Sequence, residues 1–267
     1  KNVEREKKYI EGALDHKNIW KPKVGCPISS IDISKRIQLI IVDSQWYLTR
    51  WDDHPTINDD CDQIKTREQF FLEIEGELKK NQDKTIVFAL HHPLFTNGVH
   101  GGQYAAIKHL YPSQSAIPVP VLGSLATQIR TSGGVSAQDK QNKRYQEMSD
   151  RIATLARASA APRIIFASGH EHTLQYIVNE GIRQIVSGSG SKQSYATLSN
   201  DGLFSYGGQG FARLDVMKDG CSWVRYYGFE DGKEKLLFTY KAIETPKEFD
   251  LETLPDAFPA FAKASIY

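Results

Sequence analysis

The sequence predicts an α/β protein in which a small layer of crossover units is followed by a run of short antiparallel strands. Two apolar, β-branched-rich runs, Thr85-Ile86-Val87-Phe88-Ala89-Leu90 and Arg163-Ile164-Ile165-Phe166-Ala167, are too short for helices and read as buried strands. Each follows a stretch of helical periodicity, so that strand, helix and strand succeed one another as in one α/β layer. Beyond residue 172 the pattern changes to short strands parted by turn signals such as Asn179-Glu180-Gly181 and Lys218-Asp219-Gly220.

Taken in order, residues 1–15 place Val3, Tyr9, Ile10 and Leu14 at helical spacing among charges, and 18–30 is a loop punctuated by Pro and Gly. A strand over 38–42 ends in Asp43, which reads as a cap for the following loop, with Trp46 and Trp51 as core aromatics. Residues 52–65 are acidic but lack the Gly and terminal Glu of an EF-hand loop, and read as solvated surface. Thr66-Arg67-Glu68-Gln69 opens a helix with Phe70, Phe71, Ile74 and Leu78 on one face, ending near Asn81. Residues 111–137 are irregular and rich in Pro, Ser, Gly and Thr; a connection this long usually carries function or covers a site. A second helix spans about 142–158, with Tyr145, Met148, Ile152 and Leu155 on its apolar face. Strands at 174–178, 183–186, 210–216, 221–227 and 235–240 read as an antiparallel sheet, and Ser187-Gly188-Ser189-Gly190-Ser191-Lys192 as a tight loop without Walker spacing. Residues 1–240 form the domain and 241–267, with three prolines beyond residue 245, an extended linker or tail.

Composition narrows the function. Lys plus Arg is 33 against 32 Asp plus Glu, so no basic field argues for nucleic acid. No apolar run approaches the roughly 20 residues of a membrane span, and the charged start lacks the apolar core of a secretory signal. The absence of an initiator Met reads as a processed or trimmed piece of something longer. Cys26, Cys61 and Cys221 form no metal-knuckle spacing; a Cys26–Cys61 disulfide and three free thiols are both compatible with the sequence. No internal repeat, nucleophile elbow, dinucleotide glycine pattern or zincin helix is present.

The chemistry lies in the histidines released at two strand ends, His91-His92 and Gly169-His170-Glu171-His172. Open α/β sheets collect ligands there, and neutral imidazole binds zinc, iron and related metals. A lone His91-His92 pair is more often simply hydrogen-bonded; the added Gly-His-x-His favours a metal site of His91, His170 and His172. His170 and His172 point to opposite sides of a continuing strand, so they share a centre only where the chain turns or where two metals sit side by side. Three neutral imidazoles cannot offset the charge of a metal pair, so the isolated chain is expected to hold at most one ion, weakly. His100, between glycines, reads equally as a substrate contact or general acid and as an ordinary loop histidine.

His91-x-Pro93, Gly169-His170-x-His172 and Gly210-Phe211-Ala212-Arg213-Leu214 resemble the carboxyl-terminal half of the calcineurin-like metallophosphoesterases, most closely the purple-acid-phosphatase-like members. The resemblance covers about residues 1–240, and the Gly-His-x-His is its most specific part. Asp43-Ser44-Gln45-Trp46, His91-His92-Pro93-Leu94, Asn97-Gly98 and His100-Gly101-Gly102 look like the large envelope-associated members of Bacteroidetes-type bacteria. In those a membrane barrel follows the domain. The resemblance implies two mixed β-sheets packed face to face with helices outside, an α/β/β/α sandwich whose amino-terminal half is missing. It implies hydrolysis of phosphate esters by two divalent or trivalent transition-metal ions (iron, zinc or manganese), with His91 and His170 on one ion and His172 on the other. His92, Asn97 and His100 would face the substrate; His100, nine residues after His91, would also protonate the leaving group. The implied partners are a phosphate-ester substrate, the missing amino-terminal half and a membrane barrel downstream, in a periplasmic or outer-membrane setting, with no nucleic acid. The family's opening Asp-x-His, Gly-Asp-x-x-Asp and Gly-Asn-His-Asp/Glu motifs are absent, and Lys1 falls about where the chain would resume after the third. The rivals are a catalytically degenerate metal-binding or scaffolding module of the envelope, and a zinc hydrolase of non-phosphate esters.

Overall fold

Three strands, β2 (Ile37–Val42), β3 (Thr85–Leu90) and β4 (Ile164–Ser168), run parallel and in register at the centre of the chain. The computed structural model describes residues 2–245 apart from 24, 52, 53, 55, 58, 60, 112–117, 119, 135 and 200. Ile40, Phe88 and Phe166 point to one face of the sheet, where they bury against the helices as successive side chains alternate across a strand. That helix layer is built by α2 (Ser44–Leu48), α3 (Arg67–Lys80) and α6 (Lys143–Ala158). Helix α3 starts at the expected place because Thr66 and Gln69 form a capping box, and α6 because the Asn142 side chain accepts from Arg144 N. Each cap is worth about 1 kcal/mol. Trp46 stacks on Phe70 at 5.7 Å and meets Trp51 at 4.8 Å, and Asp43 caps α2 through Trp46 N, as expected of all three.

The central strands belong to a seven-stranded sheet of order β1-β2-β3-β4-β6-β5-β7, completed by β1 (Ile28–Ser34), β5 (Leu174–Asn179), β6 (Ile182–Ser187) and β7 (Gly202–Tyr206). A three-stranded sheet of β8 (Gly210–Val216), β9 (Ser222–Glu230) and β10 (Lys233–Ile243) packs on its other face. There Ile165, Leu174, Tyr176 and Ile185 bury against Val224, Tyr226 and Ile243. The result is the expected α/β architecture of two sheets packed face to face with helices outside.

Several local expectations change. The strands after residue 172 do not form one antiparallel sheet: β5, β6 and β7 join the large sheet, and β6 runs parallel to β4. The reason is visible in β6, which is buried on both faces and so suits a central position. The smaller sheet is antiparallel throughout rather than mixed. Strand β1 occupies the end of the stretch read as a loop; its polar alternation, Ile-Ser-Ser-Ile-Asp-Ile-Ser, suits a sheet edge. Within residues 111–137 the described part is largely helical, α5 (Pro120–Gly133), which packs against α4 (Ala106–Leu110). Strand β10 runs to Ile243, three residues into the expected tail, whose remainder beyond residue 245 lies outside the described residues. Of the acidic stretch 52–65, Asp59 and Asp62 are exposed, while Asp52, Asp53 and Asp60 lie outside the described residues. Helix α1 (Asn2–Ala13) matches the helical spacing of the first residues. Cys26 and Cys61 form a disulfide with Cα atoms 4.8 Å apart, and Cys221 is a buried thiol.

Candidate metal centre

Val42, Leu90, Ser168 and Val186 are neighbours across β2, β3, β4 and β6, so the residues that follow them emerge along one sheet edge. The chain turns sharply just past β4, where His170 has φ +64°, in the left-handed region. Residues with a Cβ visit that region rarely, and such conformations cluster at functional sites. The turn ends the strand alternation and brings His170 back toward β3, with its Nδ1 3.3 Å from Nε2 of His91.

Hydrogen bonds fix the proton positions. His170 Nε2 lies 2.7 Å from the Gln138 carbonyl oxygen, which can only accept, so Nε2 carries the hydrogen and Nδ1 a lone pair. Gln138 Oε1, 3.0 Å from His92 Nε2, can only accept, so Nε2 carries the hydrogen of this neutral ring and Nδ1 a lone pair. The Ser44 hydroxyl therefore donates to Nδ1 (2.8 Å) while accepting from the His92 amide (3.2 Å). Both nitrogens of His92 are engaged inside the protein and the residue is 0% exposed. Expected to face substrate, it instead backs the ring of His170 at 4.4 Å.

Burial keeps these rings neutral. It lowers His92 to about 4 and His170 to about 3, where neighbouring imidazoles push the same way. Burial also lowers His91, against the pull of the Asp43 carboxylate, and lowers His172, where Lys192 adds to it. Neutral imidazole is the ligating form.

The donor set fits a transition-metal ion. Two nitrogens bound to one ion at about 2.0–2.1 Å, at right or tetrahedral angles, stand about 2.9–3.4 Å apart, and the His91–His170 separation of 3.3 Å falls in that range. Ligand atoms of His91, His92 and His170 all lie within 4.8 Å of one another. Since His92 has no lone pair to spare, His91 and His170 are the pair that can turn one toward an ion. Among the described residues no carboxylate joins this group. His172, the other expected ligand, is partly exposed just beyond the turn and lies outside it.

A second element closes over the edge. His100 sits in a 3₁₀ turn, Val99–Gly101, with its ring 4.2 Å from that of His170. Its Nδ1 is 2.8 Å from Oδ1 of Asp139, whose side chain is 2% exposed. The turn is tied down by Glu171: Thr96 Oγ1 (2.9 Å), His100 N (2.8 Å) and Gly101 N (3.2 Å) all donate to its Oε1. Burial raises the Glu171 pKa, partly offset by His100 and these donors. Gly98 is required beneath it, since a Cβ there would stand 2.5 Å from the Glu171 carboxylate. Asn97, also expected at the substrate, is committed to the protein: its amide donates to Gln175 Oε1 and its Oδ1 accepts from Ser199.

The fold brings the rings of His91, His170 and His100 together, and adds Ser44, Gln138, Asp139 and Glu171 as their hydrogen-bond partners, none of which the sequence reading names in a role. Gln138 and Asp139 follow the long connection, whose length was the one available signal.

No protein-family model matches the chain, and no curated protein matches it. Solved structures similar to it include GAP50, described as the anchor in the inner membrane complex of Plasmodium, at 15% identity over 84% of this chain and 56% of that one (TM-score 0.49). PhoD follows at 10% identity over 81% of this chain and 42% of its own (TM-score 0.49). The purple acid phosphatase PPD1 of yellow lupin seeds is 15% identical over 80% of this chain and 32% of its own (TM-score 0.43). The chain thus spans about half or less of the length of these structures. At such identities and TM-scores the likeness says nothing of activity.

Proposed function

We propose that this chain is the carboxyl-terminal half of a metal-dependent phosphoesterase of the bacterial cell envelope, completed by an amino-terminal half that brings carboxylate ligands. The observation that carries the reading is the facing of His91 Nε2 and His170 Nδ1 at 3.3 Å on the carboxyl edge of the parallel strands, both rings neutral. His91 and His170 would hold one iron, zinc or manganese ion, and His172, beyond the turn, would serve a second. When bound, such ions would supply acidification of a water and neutralisation of phosphoryl charge. The chain's own contribution is positional. Gln138 fixes the His170 tautomer, as second-shell partners of ligating histidines do. Asp139 holds the Nδ1 proton of His100, so only the doubly protonated ring, the imidazolium, carries on Nε2 a proton that it would give to the leaving group of the ester. The Cys26–Cys61 disulfide supports an oxidising compartment such as the periplasm. Among the described residues no helix is long and apolar enough to cross a membrane.

A second reading is a metal-binding or scaffolding module without catalysis, favoured by the absence of any carboxylate from the histidine group among the described residues. Metal analysis joined to hydrolysis of p-nitrophenyl phosphate separates the two. The chain alone is expected to bind at most one ion weakly. Joined to its amino-terminal half it should bind two and hydrolyse the ester, with activity lost in His91→Ala and His170→Ala. A metal-loaded complete protein that turns over no phosphate ester leaves the scaffolding reading.

A further inference from the structure

Helices α4 and α5, between the His100 turn and Gln138, pack chiefly on one another. The two ends of this segment are drawn together at the metal centre. Lys140 N donates to His100 O (2.9 Å) and Gln141 Nε2 to Gly101 O (2.9 Å), while Asn142 Nδ2 reaches Gly134 O (2.8 Å). The two helices thus form a hairpin rooted on the turn that carries His100. All five residues of α4 are exposed, and among the described residues of α5 only Gly123 is buried.

The outward side of α5 is aliphatic. With 3.6 residues to the turn, Val121, Leu122, Leu125 and Ile129 fall within an arc of roughly 100°, and Gly123 lies on another side of the helix. These four side chains are 50% to 78% exposed. Ile107 and Leu110 of α4 add two more exposed aliphatic groups. Helices α3 and α6 do the opposite and turn their apolar rows into the core.

Charge sets the same segment apart. The chain has 32 acidic residues, yet none lies between Asp83 and Asp139. Lys84 aside, the Lys and Arg residues of that stretch are Lys108, exposed on α4, and Arg130. Centres of protein–protein interfaces are enriched in aromatic residues, but neither α4 nor α5 carries a Phe, Tyr or Trp. An aliphatic helix face with basic residues nearby and no carboxylate to be repelled suits the headgroup boundary of a bilayer that bears negative charge.

We infer that the α4–α5 hairpin is a peripheral membrane-contacting element. It lays Val121, Leu122, Leu125 and Ile129 into the headgroup boundary of an anionic phospholipid bilayer, assisted by the charge of Lys108. Contact through a few aliphatic side chains and little charge is reversible. Because the hairpin is rooted on the His100 turn, that contact would hold the histidine edge of the large sheet near the lipid surface. The inference depends on no reading of what the histidines do.

The test is flotation of the purified full chain with vesicles of phosphatidylglycerol and phosphatidylethanolamine, with pure phosphatidylcholine vesicles for comparison. The chain should float with the anionic vesicles, less at raised ionic strength. The Leu125→Gln/Ile129→Gln double variant should bind at least about 10-fold more weakly, with an unchanged thermal midpoint because both positions are exposed. Lys108→Glu should also lose about 10-fold, whereas Leu72→Gln, at an exposed position of α3, should bind like the parent. Should the double variant misfold, Lys108→Glu and the salt dependence decide. A chain that ignores anionic vesicles overturns the inference, as does binding that the α4 and α5 variants leave unchanged. It is equally overturned if the double variant keeps vesicle binding but loses self-association or its fit to a partner polypeptide, since the face is then a protein interface. Vesicle binding by a chain that takes up no metal keeps the membrane face and removes the phosphoesterase reading.

Discussion

His100 and Asp139 are 39 residues apart in sequence and 2.8 Å apart in space, with the carboxylate buried and the imidazole at the opening of the site. A carboxylate on Nδ1 selects the Nδ1–H tautomer of the neutral ring and leaves the lone pair on Nε2, which must take up a proton before the ring can act as an acid.

Replacing Asp139 by Asn keeps the shape but removes the charge, and because an amide can turn its NH2 toward Nδ1 the tautomer is no longer enforced. In the complete, metal-loaded protein kcat for p-nitrophenyl phosphate should fall on the order of 100-fold with KM little changed, as for loss of a positioned acid. A change confined to KM would assign the pair to substrate binding instead.

The neutral histidines make acid stability predictable. His92 and His170 have folded-state pKa values of about 4 and about 3, below the 6.5 of the free side chain. As pH falls below 6.5 the unfolded chain takes up protons that the folded chain refuses, so stability falls with pH down to about 4 and then 3. The slope is at most about 1.4 kcal/mol per pH unit for each ring. Thermal midpoints of the chelator-treated chain should therefore drop by several degrees per unit between about pH 6 and 4, and His92→Gln should flatten the curve. A midpoint independent of pH over that range would mean that these rings are not held neutral.

Where a feature depends on neighbours in sequence, it was readable. Thr66 and Gln69 cap α3, Asn142 caps α6 and the run from Thr85 to Leu90 forms β3, because caps and apolar runs are local chemistry. Strand β1 pairs at an edge, where half its side chains are polar, so its pattern resembles a loop. Helix α5 was obscured because its glycines and Ser/Thr residues gave a loop-like composition to a stretch whose exposed positions include Val121, Leu122, Leu125 and Ile129. The partners of the histidines were hidden for another reason. Gln138 meets His92 and His170 across separations of 46 and 32 residues, and nothing in local spacing announces such a contact.

Gly98 has φ −104°, so its need for glycine is spatial rather than conformational. A methyl group there meets the Glu171 carboxylate at 2.5 Å, and the carboxylate is itself held by Thr96, His100 and Gly101. Gly98→Ala should break at least one of these bonds to a buried acceptor, costing about 1–3 kcal/mol and lowering the thermal midpoint by several degrees. An unchanged midpoint would mean that the His100 turn does not depend on Glu171.

The Cys26–Cys61 bond closes a sequence separation of 35 residues, tying the entry to β1 to the segment ahead of α3. Chain-entropy reasoning gives about 4 kcal/mol for a loop of this length. Reduction, or the Cys26→Ser/Cys61→Ser double variant, should lower the denaturant midpoint accordingly. Equal midpoints for oxidised and reduced chain would place the folded protein outside any need for an oxidising compartment.

His91 and His92 are adjacent in sequence, yet substitution should separate them. His91 is the more exposed of the two, its ring only partly covered, and turns a nitrogen toward His170, whereas His92 is fully buried with Ser44 and Gln138 on its two nitrogens. His91→Ala should leave the thermal midpoint nearly unchanged and weaken zinc binding at least about 100-fold, the loss of a ligand. His92→Ala should open a buried polar cavity and cost about 2–4 kcal/mol, while weakening zinc only about 10-fold, as for a second-shell partner. Zinc titration and thermal melts of the two variants read both quantities. The reverse pattern, with His92→Ala abolishing binding in a chain that still melts normally, would move His92 into the ligand shell and His91 out of it.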